Sequence, residues 1–338
     1  MSSNNEVPKF GLLTPGSLAE AVSMLSQYGG QARIMAGGTD IISQMKDGVQ
    51  LLTPQYVVDI SGLPLNYVKF SPSDGLRIGA TTPISSIASD PNINQYCAAL
   101  AQAASAVAAP QIRNQATAAG DITQEVWCWY LRNNYDCWRN GGDACYGALG
   151  DNRYYHTIFG GRLCYAVHGG DTTSAYFAMN ADVTVAGPGG NSNMSIQELL
   201  PGVSIIDGRV KENILHYNEL VTEIHLPTPP ANTKSAFYKV RSRGSFDFAL
   251  ASAAAQLTFN GSAISEAHLI LGGVGNVPVR AAGAESYLVG QQLSESVIDE
   301  AASMAVDGAE PLSDGTGNSF RVYLAQGAVK KVLRTLSS

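Results

Sequence analysis

"ARIMAGGTDIISQMK", Ala32 to Lys46, sets a short apolar run, a paired-glycine turn and a second apolar pattern side by side. The order reads as a short buried strand, a Gly-Gly turn and a helix start that Thr39 or Asp40 is able to cap. A strand entering a helix through glycines is a unit of mixed α and β folds. Paired glycines at that point also let backbone amides approach an anion at the start of the helix. Taken alone, the motif reads equally well as a tight left-handed turn that holds nothing, because Gly-Gly is common punctuation.

The flanks extend the pattern. Upstream, "TPGSLAEAVSMLSQYGG" has Ser17 and Glu20 in capping-box spacing, with Leu18, Ala21, Val22 and Leu25 on one helical face before Gly29 and Gly30 stop it. Downstream, "YVVDIS" and "GLRIGAT" read as strands, and the Ala-rich run from Asn94 to Ala108 reads as a helix ended by Pro110. A second glycine-centred turn follows in "QIRNQATAAGDI", where Ala118, Ala119 and Gly120 remove side chains beside Thr117 and Asp121. Both of these can hydrogen-bond a phosphate or a ribityl hydroxyl. Neither turn is a G-x-G-x-x-G or Walker loop, so a Rossmann or P-loop site is not supported. "ADVTVAGPGG" and "LVTEIHLP" add strands, with a plain hairpin turn at Gly187. "LPTPPANT" then places three prolines near residue 230, the linker between two domains, 1–229 and 230–338. Beyond it "SAFYKVR", "FALASAAAQLTF" and "EAHLILGGV" read as strands. Helices follow at Ala281–Leu288, Glu295–Val306 and Phe320–Leu336. The fold class is α+β, a mixed first domain followed by a smaller sheet with a helical layer.

Composition narrows the function. With 338 residues, 45% hydrophobic and 14% charged, the chain can bury two ordinary cores. A net charge of -7 argues against a sequence-independent grip on nucleic acid. No stretch approaches the roughly 18 apolar residues of a membrane span, and no secretory pattern opens the chain, so a cytoplasmic location is expected unless a partner carries an export signal. A chain of this length does not need a disulfide framework, which leaves its five cysteines as reduced thiols.

Four of those five cysteines, and all three tryptophans, lie in "EVWCWYLRNNYDCWRNGGDACYGALGDNRYYHTIFGGRLC", Glu125 to Cys164. Eight, seven and eighteen residues separate Cys128, Cys137, Cys145 and Cys164. Structural zinc sites favour tighter knuckles, whereas four thiolates are the full ligand set of a cubane cluster. Buried thiols without a ligand remain a third reading. Trp127, Trp129, Trp138 and Tyr130 would shield a cluster, and Arg132, Arg139, Arg153 and Arg162 could offset its charge. Cys97, in the Ala-rich helix, reads as core.

"MAGGTD", "QIRNQATAAGDI", "CYAVHGGDTTSAYFAMNADV", "FYKVRSRGSFDFALASAAAQL" and "LILGGVGNVPVRAA", in this order over essentially the whole chain, resemble the flavin subunits of molybdenum hydroxylases. That family includes xanthine dehydrogenases and carbon monoxide dehydrogenases. The resemblance implies a two-lobed FAD-binding domain of the vanillyl-alcohol-oxidase (PCMH) type, then a smaller C-terminal domain like that of the carbon monoxide dehydrogenase flavoprotein. It also implies an inserted 4Fe-4S loop at about 125–165, as in 4-hydroxybenzoyl-CoA reductases and some bacterial aldehyde oxidoreductases, with Cys128, Cys137, Cys145 and Cys164 as ligands.

Carried over position by position, the resemblance implies a first pyrophosphate loop of Arg33, Ile34, Met35, Ala36, Gly37, Gly38, Thr39, Asp40 and Ile41. Thr117, Gly120 and Asp121 belong to a second loop, and Asp171, Lys239 and the backbone at Val221 also meet FAD. Two departures stand out: Ala-Gly-Asp replaces the usual Gly-Gly-Asn or Gly-Gly-Asp, and "HGGD" replaces His-Pro-Ser-Asp, which is expected to loosen the turn before Asp171. The implied function is electron transfer beside a small 2Fe-2S subunit and a large molybdenum-cofactor subunit. Electrons then reach an external carrier such as ferredoxin, or flow in reverse in a hydroxybenzoyl-CoA reductase. No Ser/His/Asp or Cys/His catalytic grouping is visible. A stand-alone FAD oxidase with a structural Cys loop, and a zinc-stabilised binding module, are the competing readings.

Overall fold

The computed structural model describes residues 6–313 and 317–337. Three parallel strands, in the spatial order Gly11–Leu13, Tyr56–Asp59 and Ala32–Met35, form the first sheet. Parallel neighbours need a crossover, and helix Ile41–Asp47 lies within the connection from Met35 to Tyr56. Helix Leu18–Tyr28 buries Ala21 and Leu25 in the core of this lobe. Its capping box forms by half. Glu20 N donates to Ser17 Oγ at 3.2 Å, but the Glu20 carboxylate accepts from Gly16 N at 2.7 Å instead of from Ser17. The complete box is at Ser195 and Glu198, opening helix Ile196–Leu199.

Helix Ile41–Asp47 starts without a side-chain cap, contrary to expectation. Asp40 occupies the cap position, yet its carboxylate accepts from Glu125 N at 2.9 Å and Arg132 Nη2 at 3.0 Å, 85 and 92 residues away. A tertiary bond has displaced the local one.

The second lobe is a five-stranded antiparallel sheet in the order Val68–Ser71, Gly75–Gly79, Leu220–Leu226, Asp182–Gly187 and Gly190–Ser195. The Ala-rich run packs on it as two helices, Pro91–Tyr96 and Ala98–Ala106, broken at Cys97. Pro110 begins helix Pro110–Arg113 and terminates nothing, since its missing N–H costs nothing in a first turn.

The last sheet is antiparallel in the order Thr233–Val240, Ala251–Asn260, Ala263–Gly272 and Val279–Arg280. Both of its faces are covered. Phe237, Ala254 and Ile270 join the core that includes Ala99, Ala103 and Ala175 of the first domain, while Ala253, Ala255 and Leu257 pack with Ala325, Val329 and Leu333 of helix Phe320–Leu336. Two covered faces leave no polar alternation in "ALASAAAQL", and the small side chains let helices approach from either side.

Arg321 ties the domains together. It is fully buried, donating from Nε to Leu250 O at 2.8 Å and from its two terminal nitrogens to the carbonyls of His156 and Gly273. Asn318 Nδ2 adds a bond to Thr157 O at 2.8 Å. Arg321→Ala is expected to cost about 3 kcal/mol or more, since each buried carbonyl left unpaired costs about 1–3 kcal/mol. Denaturant unfolding measures it, and an unchanged midpoint would show that water replaces the guanidinium.

Candidate functional site

A cavity of about 640 Å³ opens between the first two sheets, walled also by the strand Arg209–Lys211 and by the turn between the first two strands of the last sheet, within the usual range for a cofactor-sized ligand. Every residue from Arg33 to Ile41 lines it, as do Thr117, Gly120, Asp121, Asp171 and Val221. The two glycine loops touch. A Cβ on Gly37 would run into the Gln115 carbonyl, so only glycine lets the first loop cross the second. Gly38 is demanding for another reason, its φ of +74° lying in the left-handed region.

Two of the polar residues assigned to ligand are already engaged. Thr117 Oγ1 accepts from Gly120 N at 3.3 Å and caps helix Ala118–Thr123. Asp121 Oδ2 accepts from Thr172 N at 3.0 Å and Thr172 Oγ1 at 2.6 Å, pinning helix Asp171–Ala178 to the second loop. Lys239 does not line the cavity. It is buried behind Asp171, 2.5 Å from its Oδ2, and also donates to Ala106 O at 3.2 Å. Burial lifts the Asp171 carboxyl to about 6 despite the ammonium beside it.

The "HGGD" turn is held firmly, against the expectation of looseness. His168 Nε2 pairs with Ile122 O at 2.9 Å, and its Nδ1 accepts from Gly170 N at 3.1 Å. A Cβ on Gly170 would strike the Asp121 carbonyl. The far wall escaped sequence reading: Trp127, Tyr155, Arg243, Phe246, Asp247 and Phe248 come from the cysteine stretch and the turn between the first two strands of the last sheet. Phe246 has φ +52° and donates its N–H to Ala108 O, itself at φ +35°.

Beside the cavity, Cys128, Cys137, Cys145 and Cys164 line one small void of about 20 Å³ together with Trp138 and Tyr146. All four are free thiols, and Cys145 is the least buried, next to half-exposed Tyr146 and fully exposed Leu149. Cys97 sits apart in the first-domain core. Burial pushes the Cys128 thiol up to about 12 and raises Cys137 and Cys164 as well. Apolar burial on that scale disfavours bare thiolates and leaves a cationic group as the means of stabilising them. Among the described residues only Arg139, of the four arginines expected to offset charge, donates to a cysteine sulfur: Nε to Cys164 Sγ, 3.1 Å. Arg132 pairs with Asp40 and Asp47 over the Trp127 ring, and Arg153 pairs with Asp151 in solvent. His156, not singled out by sequence, is fully buried with Nε2 3.4 Å from Cys128 Sγ.

A chain of buried charges joins the two places. Glu125 accepts from Arg139 at 3.2 Å and Arg209 at 2.7 Å, and pairs with Arg33 of the cavity wall at 3.6 Å. Burial raises its carboxyl, but Arg209, Arg33 and Arg139 overcome that and hold it at about 2. At Glu212, bonded to Arg139 alone among these three, burial wins and the carboxyl rises to about 7. Scattered sequence positions, 33, 125, 139, 209 and 212, gave no local signal of this arrangement.

Residues 8–229 match the family described as the FAD binding domain in molybdopterin dehydrogenase, and residues 236–336 match the CO dehydrogenase flavoprotein C-terminal domain. The aldehyde oxidoreductase FAD-binding subunit of Escherichia coli strain K12 is 31% identical over 311 residues, 89% of this chain and 90% of that one. The carbon monoxide dehydrogenase medium chain of Hydrogenophaga pseudoflava is 25% identical over 328 residues, 96% of each chain. A solved carbon monoxide dehydrogenase chain from that organism superimposes with a TM-score of 0.75 at 26% identity, covering 97% of both chains.

Gly37→Ala is expected to part the two loops, and Gly38→Val to add about 1–2 kcal/mol of backbone strain. Both should purify with sharply reduced flavin, read as FAD absorbance per chain; wild-type flavin content in both would move the ligand away from this crossing. Lys239→Met removes the cation opposing burial at Asp171. Its folded value, about 6 against an unfolded 3.8, then rises further. A carboxyl raised on folding contributes stability that is complete below the unfolded value and lost as pH climbs through the folded one. The variant should therefore lose more stability at pH 8 than at pH 5, by about 1.4 kcal/mol per further unit of rise. Thermal unfolding at the two pH values checks this, and equal losses would refute it.

Proposed function

The chain belongs to the FAD-binding subunits of the molybdopterin dehydrogenase family, which also includes the xanthine dehydrogenases, and within that family we propose that it is the FAD and 4Fe-4S relay subunit of a molybdenum-containing hydroxylase. In this reading residues 1–229 are the FAD domain, 125–165 are a cluster-bearing insertion and 230–338 are the C-terminal domain. The observation that carries the reading is the convergence of four free, mostly buried cysteines on a single void beside the FAD cavity. Corners set around a larger object suit a cluster better than zinc.

Bound here, FAD would exchange electrons with partner subunits, and the cluster would pass single electrons to an external carrier such as ferredoxin. The chain's own residues do the positioning. The Arg33–Ile41 loop and the Thr117–Asp121 turn form two walls for a diphosphate, Gly37 setting their distance. Asp171, backed by Lys239, presents a buried carboxyl to the cavity, and Trp127, Tyr155 and Phe248 exclude water on the side facing the cysteines. The partners in this reading are a small 2Fe-2S subunit and a large molybdenum subunit. The E. coli relative, named for an aldehyde oxidoreductase, favours an aldehyde as the substrate oxidised there. No described helix is long and apolar enough to cross a membrane.

Cys137→Ser is expected to lose or degrade the cluster, because a serine oxygen is a harder ligand than thiolate, while Cys97→Ser keeps it. FAD should remain in both. Iron content with low-temperature electron paramagnetic resonance on the whole complex is the measurement. Equal iron and only 2Fe-2S signals in wild type and Cys137→Ser would sink the cluster reading.

A further inference from the structure

Arg139 is a buried guanidinium with four acceptors around it. Nε donates to Cys164 Sγ at 3.1 Å, Nη1 to Val210 O at 2.9 Å and to Glu125 at 3.2 Å, and Nη2 to Glu212. Three of its five N–H groups thus hold the fork to oxygen, and the one on Nε is aimed at sulfur. Arg33, Arg139 and Arg209 carry three positive charges against one on Glu125 and at most one on Glu212, whose carboxyl burial lifts to about 7, so the group keeps a cationic surplus, and Arg139 is its member on the wall of the cysteine void. Ala166 N, 3.4 Å from Cys164 Sγ, adds a second donor to the same sulfur. Hydrogen bonds to ligand sulfur and nearby positive charge both favour the more negative, reduced state of a thiolate-bound cluster, and so raise its reduction potential.

We infer that Arg139 is a positioning residue that sets the electron affinity of the group held by the four cysteines, through its Nε–H bond to Cys164 and its buried charge. This rests on the reading of those cysteines as cluster ligands. Glu125 and Glu212 hold the guanidinium in place. Because Glu125 also faces Arg33 of the flavin cavity, the same charges that orient Arg139 reach the cavity wall. A lysine in its place keeps the charge but has no planar fork to serve sulfur and both carboxylates at once.

The test is a potentiometric titration of the complete complex followed by electron paramagnetic resonance, comparing wild type with Arg139→Gln and Arg139→Lys. With iron and flavin content retained, the 4Fe-4S midpoint is expected to fall in Arg139→Gln and to fall less in Arg139→Lys. The 2Fe-2S midpoints of the partner subunit should not move and serve as the internal reference. A residue that only braces the fold would lower thermal stability and leave the midpoint in place. A wild-type midpoint in a variant that keeps its iron overturns the inference, as does loss of iron from both variants with flavin intact, which would make Arg139 a structural brace. If Arg139→Gln alone loses iron, the Arg139→Lys midpoint decides. A wild-type complex with no 4Fe-4S signal defeats the underlying cluster reading instead.

Discussion

Glu125 is the constraint around which the two sites are built. It is buried, and burial alone would protonate it; three guanidiniums from distant parts of the chain keep it ionised. Its backbone N–H fixes the Asp40 carboxylate, so one residue anchors the cavity loop through both main chain and side chain. Removing its charge would leave Arg33 and Arg139 buried with too little compensation, a situation that typically costs several kcal/mol. The cavity loop, the start of the cysteine stretch and the Arg209–Lys211 strand hold one another through this carboxylate.

The cysteine stretch shows what such anchoring has to achieve. Between Glu125 and Cys164 the regular structure is limited to single turns, Trp129–Arg132, Trp138–Asn140 and Tyr146–Leu149. Order comes from outside: Arg321 and Asn318 take the carbonyls at His156 and Thr157, Asn276 takes those of Cys164 and Ala166, and Arg139 joins Cys164 to the Glu125 group. The C-terminal domain thus braces one side of the stretch and the charges on the cavity side brace the other. The same domain supplies Arg243, Phe246 and Phe248 to the cavity wall, and its last sheet, covered on both faces, seats the helix that begins at Asp171.

Much of the fold was legible from local pattern. The strand, Gly-Gly turn and helix at Ala32–Asp47, the Gly187 hairpin and the C-terminal helix follow from period, turn chemistry and glycine position, which act over a few residues. The order of the motifs also placed the first cavity loop and the four cysteines. Where the reading missed, a distant partner outbid the local one at Asp40, and the other causes were local. Asp40 left its cap for Glu125 and Arg132, Glu20 gave only half a box, and Pro110 served as a helix start once Val107 had already left the helix.

The sequence by itself determined most of the strands and helices, where glycine is indispensable and which four thiols share one stretch. The tertiary structure alone decided which charges meet. Lys239 stands behind Asp171 and outside the cavity, Asp121 holds Thr172, and of four arginines in one stretch only Arg139 turns to sulfur. The reason is physical. Periodicity and turn propensity act between near neighbours, whereas the partner of a buried charge is selected by the cost of leaving it unpaired, and that cost exists only after sheets and loops far apart in the chain have closed around it.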